Sequence, residues 1–200
     1  MLKIVKPSFE YVTTDVRLVN LTRNDKKMLK EMGFTRLPAH LQGVEFSYIG
    51  KLYQGIGMPN DMGGVEFFHH EHAPDTLTLR AAGPITCHHP KIKHSPICCL
   101  FYDFMDYLAY CSLRGNTHFH LPQYATCIVM SHVTNFMHMV VDSDDYDEVY
   151  LFFPNTLVGK TISKTLKQRS HERIKNCDVL YKGYSNLREF VTELSQSVSQ

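Results

Sequence analysis

Three short, unbroken apolar runs, ICCLFY (97–102), ATCIVMS (125–131) and VYLFFP (149–154), constrain the fold of this chain more than any other feature. A strand with one wet face alternates apolar and polar residues, so a run that is apolar throughout must be covered on both faces. Between the first two runs lies DFMDYLAYCSLRG (103–115), which reads as a helix. After the third run, LVGKTISKTLKQRSHERI (157–174) reads as a helix, CDVLY (177–181) as a short strand and NLREFVTELSQ (186–196) as a closing helix. Buried strands separated by helices predict an α/β fold over 96–200, with a mostly parallel central sheet flanked by helices. The right-handed crossover rule leaves few ways to connect it.

Residues 1–95 have a different texture and read as a small α+β segment. Asn24 or Asp25 can cap a helix whose apolar positions, Leu21, Met28, Leu29 and Met32, recur near the 3.6-residue period before Gly33 closes it. The strand-like VEFSYI (44–49), a hairpin break at Ile49-Gly50-Lys51, LYQGIGM (52–58), turn chemistry at 59–64 and VEFF (65–68) predict an antiparallel meander. From 69 to 95 the chain reads as loop plus one strand, LTLRA (77–81).

Composition enters where it excludes function classes. No apolar run approaches the roughly 20 residues of a bilayer helix, and the first residues show no hydrophobic core with a cleavage site. The expectation is a cytoplasmic chain without a membrane partner. None of the six cysteines forms a C-x-x-C pair, and Cys98 and Cys99, being adjacent on a strand, point to opposite faces. Free thiols follow. The net charge of +1 is uneven in its distribution: five acids fall in 142–148, while eight bases against four acids fill the segment from Asn155. That basic segment reads either as a face following phosphates or as a solvated helix surface.

Several smaller constellations carry chemistry only in part. His69-His70-x-His72 and His118-x-His120 have spacings that zinc can use on an extended chain, although no H-E-x-x-H is present. His132-Val-Thr134 is one half of a two-copy phosphoesterase signature, and Gly159-Lys160-Thr161 lacks the upstream glycine of a phosphate loop. Ser131, Thr134 and Asn155 follow predicted strands. Ligands in an open parallel sheet gather beyond the carboxyl ends of such strands, where these side chains can bond a phosphate or cap a loop.

Ordered landmarks run through the second half: strand then D-F-M-D-Y-L-A-Y (103–110), strand then S-H-V-T-N (131–135), V-Y-L-F-F (149–153) then P-N-T-L-V-G-K, and L-Y-K-G-Y-S-N-L (180–187). With these, 96–194 resembles the toprim domain of bacterial DNA primase-like proteins, particularly those of mobile elements. Y-Q-G-I-G-M-P-N-D-M-G-G-V-E (53–66) resembles the segment that precedes toprim there, so the likeness spans roughly residues 27–195. The resemblance implies a toprim-like domain over 96–200 preceded by the 1–95 segment, and roles in DNA replication or mobilisation.

It also implies a glutamate after the first strand and an Asp-x-Asp pair after a later one, because magnesium takes hard anionic oxygens. Those positions align with Tyr102 and with Pro154 and Thr156, and Asn186 stands where the family has an aspartate. Asp103 and Asp106 remain nearby. A degenerate, non-catalytic site without magnesium or other cofactor is therefore expected. The partner expected is DNA or RNA, met by Lys160, Lys164, Lys167 and Arg169 with Ser131, Thr134 and Asn155, or a replication or mobilisation protein. The alternatives are a phosphodiester-processing enzyme or primase component with a non-standard metal site, and an interaction protein whose acidic loop repels nucleic acid. No cysteine precedes Cys87, so no four-thiolate zinc site precedes it either.

Overall fold

The computed structural model describes residues 15–69, 76–92, 94–170 and 172–198. His70 and His72 lie outside them.

Two sheets form. The first is an antiparallel meander in sequential order: β1 (Arg17–Val19), β2 (Gln42–Tyr48), β3 (Lys51–Pro59), β4 (Val65–Phe68) and β5 (Leu77–Leu79). The expected hairpin break joins β2 to β3, with Tyr48 opposite Lys51 and both central residues at positive φ (Ile49 48°, Gly50 70°). That conformation matches the twist of the flanking strands, and Ile49 adopts it although β-branched. Between β1 and β2 lies helix α1 (Arg23–Glu31). Its cap is Thr22 rather than Asn24 or Asp25: the Thr22 hydroxyl accepts from Asp25 N while the Asp25 carboxylate accepts from Thr22 N. This reciprocal capping box satisfies two amides at once.

The second sheet has the order β10-β9-β7-β8-β6. The apolar runs form β7 (Ile97–Phe101), β8 (Thr126–Val129) and β9 (Glu148–Phe152), mutually parallel, and β10 (Ile174–Asn176) continues the parallel set beside β9. The mostly parallel expectation holds. The short strand of the tail is three residues earlier than CDVLY, whose Asp178–Tyr181 is a 3-10 turn, and β6 (Ile85–Cys87) is a second strand in the stretch expected to hold one. β6 precedes residue 96, yet it pairs antiparallel with β8 as the edge of this sheet.

Strict alternation along the central strands divides the core. Cys99, Phe101, Cys127, Val129 and Phe152 face α2 (Phe104–Leu113) together with Leu29 of α1 and Leu187 and Val191 of α5 (Leu187–Val198). Cys98, Leu100, Ile128, Val149 and Leu151 face Met139 and Val140 of α3 (Phe136–Ser143) and Ile162 and Leu166 of α4 (Leu157–Arg169). Cys98 and Cys99 thus look to opposite layers, and all six cysteines are free. The first core also holds Ile56, Met58 and Phe68 of the meander, so residues from both sides of position 96 share it. Thr192 of α5 donates to the Met32 carbonyl at the end of α1 (3.1 Å), closing this layer. Among the described residues, no helix is long and apolar enough to cross a membrane.

Candidate functional site at the carboxyl ends of the parallel strands

The chain leaves β7 through α2 toward β8, and leaves β9 through α4 toward β10. β7 and β9 are neighbours whose following helices lie on opposite layers, the switch point at which open parallel sheets place their ligand sites. Tyr102 and Asp103 line one side of that point, Pro154 to Thr156 the other, and Ser131 to Asn135 follow β8 alongside. The structure therefore brings Tyr102, Ser131, Thr134, Pro154, Asn155 and Thr156 to one edge.

Most of their polar groups are engaged in building it. Asp103 caps α2 through Oδ1, which accepts from Asp106 N (3.0 Å). Thr156 caps α4 by accepting from Gly159 N (3.3 Å), and a Cβ on Gly159 would meet the Pro154 carbonyl. Asn155 donates Nδ2 to the Tyr184 carbonyl (2.8 Å) and Tyr181 carbonyl (3.3 Å), pinning the turn before α5. Asn186 accepts from Glu189 N (2.8 Å) at the start of α5. The His132 Nδ1 and the Thr134 hydroxyl lie 2.8 Å apart, a local turn contact. Ser131 differs: its φ is +64°, its amide donates to the Tyr102 carbonyl (2.9 Å), and its hydroxyl is buried without a hydrogen-bond partner among the described residues.

Acidity at this edge is also spoken for. Burial, reinforced by the Asp103 charge, raises the Tyr102 phenol above its usual range. Asp106, in the first turn of α2, is fully enclosed. Burial and then the Asp103 charge push its carboxyl well above the carboxylate range, against the Arg188 amide that it accepts (2.9 Å). Asp106 therefore holds the start of α5 against α2. Among the described residues, no group of three His, Cys, Asp or Glu side chains is arranged to hold a metal ion.

The basic residues of the tail split into two sets. Lys160, Lys164 and Lys167, spaced i, i+4 and i+7, share one face of α4 and line a shallow groove of about 340 Å³ with Ser163, Gln168 and Asn176. Among the described residues, none of these lysines makes an ion pair. Arg169, expected with them, instead pairs with Asp144 at 2.6 Å. Arg173 meets the same carboxylate at 2.8 Å and also donates to the carbonyls of Ser143, Asp144 and Tyr146, closing the end of α3. Lys175 pairs with Glu148 at 2.6 Å and lies over the Tyr150 ring. Two of the five acids of 142–148, Asp144 and Glu148, are thus counter-charges of the tail's own bases. Charge counting alone does not locate these pairs, because their partners lie 25 to 29 residues apart.

No protein-family model matches the sequence, and no curated protein matches it. Among solved structures, the chain is similar to the primase fragment of the bacteriophage T7 primase-helicase protein. The two are 12% identical with a TM-score of 0.52, over 91% of this chain and 72% of that one. The likeness is one of fold.

Proposed function

We propose that this chain is a degenerate toprim-like scaffold that binds nucleic acid along α4 through Lys160, Lys164 and Lys167, in a replication or mobilisation setting. The observation that carries the reading is the three-lysine face: three cations on one exposed helix side, free of counter-ions among the described residues, over a groove. Phosphate contacts of this kind give sequence-independent affinity. The primase-like fold supports the setting.

The edge carrying Tyr102, Pro154 and Thr156 does not fit a magnesium ion in this reading. Magnesium takes several hard oxygens, at least one or two of them carboxylates. Asp103 is the carboxylate at hand, and one of its oxygens already caps α2. Proline offers no side-chain donor, and the Thr156 hydroxyl caps α4. The site residues at this edge act by shaping the loops beside α4.

The test is fluorescence anisotropy of labelled single-stranded DNA, duplex DNA and single-stranded RNA across a salt series, with and without magnesium. The expected result is salt-dependent binding indifferent to magnesium. Replacing the three lysines with glutamine should reduce the log–log salt slope by about 2 to 3. An unchanged slope removes α4 as the interface. Magnesium-dependent binding revives the alternative of a non-standard metal site at Asp103, and no binding to DNA or RNA overturns the reading in favour of a protein partner.

A further inference from the structure

A second cationic feature lies at the opposite pole of the parallel sheet, where β8 begins and β6 ends. There, the loop after α1, the segment after β6 and the end of α2 enclose a cleft of about 290 Å³, just under the usual range for ligand clefts. Arg36, His40, His88, His89 and Arg114 line it, and among the described residues no carboxylate does. Among the described residues, neither arginine ion-pairs with an acid. The remaining wall is apolar or neutral, with Pro38, Tyr107, Cys111 and Ala125 among its members. Burial pushes the Cys87 and Cys111 thiols up to about 12, so these walls carry no negative charge at neutral pH.

Arg36 is anchored by its surroundings, and Arg114 is half-buried at the end of α2. Ser112 of α2 accepts from Thr35 N (3.1 Å), which fastens the Arg36 loop to the helix. Arg36 donates Nη1 to the Arg114 carbonyl, and the space it occupies exists because Gly115, at φ +91°, has no Cβ to fill it. Among the described residues, that anchor leaves Nη2 and Nε of Arg36 and the whole Arg114 guanidinium for a ligand. At the rim, the His89 ring meets the Tyr124 ring edge-to-face at 5.0 Å, and Tyr124 is half exposed. Burial and the neighbouring Arg114 and Lys91 charges hold the His89 imidazole below its usual range, as a positive local field requires.

A rim carrying two arginines over an apolar floor, flanked by aromatic rings, selects a flat and weakly polar body carrying a compact anion. We propose that this cleft binds a nucleoside phosphate, with the phosphate on Arg36 and Arg114 and the base against the apolar wall beside His89 and Tyr124. The planar guanidinium fork suits phosphate oxygens, and charge-assisted hydrogen bonds are the strong ones. The site is separate from α4 and stands whether or not the lysine face binds nucleic acid.

Calorimetric titration of the full chain with AMP, adenosine and inorganic phosphate tests it. AMP is expected to bind, with adenosine and phosphate each at least about tenfold weaker, because each keeps half of the recognition. The Arg36→Gln/Arg114→Gln variant should lose about tenfold or more in AMP affinity. The three-lysine variant of α4 should keep it. If the double variant fails to fold, Ala39→Trp fills the cleft from an exposed loop position and should abolish binding alone. Displacement of AMP by a 5′-phosphorylated oligonucleotide, and not by its unphosphorylated form, assigns the cleft to a strand end; failure of both assigns it to the free nucleotide. Absence of AMP binding, or binding that survives both Arg36→Gln/Arg114→Gln and Ala39→Trp, overturns the proposal.

Discussion

The two halves of the basic tail carry similar charge and use it in opposite ways. From Lys160 to Lys167 the cations stand on one helix face with no counter-ion among the described residues, whereas from Arg169 to Lys175 they are bound to Asp144, Glu148 and the carbonyls closing α3. The first set adds little to the fold and remains open to a ligand. The second set holds α3, α4 and β10 in register and has little left to offer. Net charge along a segment therefore overstates its capacity for phosphate, because long-range pairing removes cations from the count.

The sharpest way to break this contrast is Arg173→Ala. Arg173 keeps only 21% of its side-chain surface exposed and serves three carbonyls and a carboxylate. Its loss should destabilise the fold by about 2 to 3 kcal/mol in urea denaturation while leaving the DNA salt slope unchanged. A smaller effect comes from pH. Hydrogen bonds from Arg173 and Arg169 hold the Asp144 carboxyl below its ordinary range. Its folded pKa lies below its unfolded one, so its contribution is complete above the unfolded value and lost as pH falls through the folded value. Asp144 is exposed, which limits the contribution to below about 1 kcal/mol, and Asp144→Asn should flatten the acid limb accordingly. Asp106 acts with the opposite sign: its folded pKa is raised, so stability falls as pH rises from the ordinary carboxylate range.

Arg169→Gln probes the boundary between the sets, and a loss of about 0.5 kcal/mol with DNA affinity intact would place it with the locked bases. The smallest expected change in stability is that of Lys160→Gln/Lys164→Gln/Lys167→Gln, within about 0.5 kcal/mol of the parent by thermal or urea unfolding. A larger loss would mean that these lysines also serve the fold.

The sequence discloses the parallel strands because β7, β8 and β9 are apolar at nearly every position, a pattern only double coverage explains. The hairpin at Ile49-Gly50 is equally readable from its glycine and register. β6 is not: three residues among prolines and histidines carry no period, and β8 alone makes them a strand. The helix after β9 stops at Arg169 rather than reaching Ile174, because Arg173 turns back to cap α3 and Ile174 enters β10. At the candidate site, the positions following each strand were legible, since strand ends fix them. That Asn155, Thr156 and Asp103 are used as loop anchors and helix caps was not, because capping depends on what the chain does several residues later.

The contact between Thr192 and the Met32 carbonyl, 160 residues apart, has a consequence for how the chain is made. Helix α1 is only nine residues long, too short to persist alone in water, and Leu29 on it is buried in a core completed by α5. During synthesis, that apolar face has no finished core to enter until residues near 190 have left the ribosome. The meander residues Ile56, Met58 and Phe68 share that core, so this layer closes late, and a nascent chain stalled before α5 is a natural client for a chaperone.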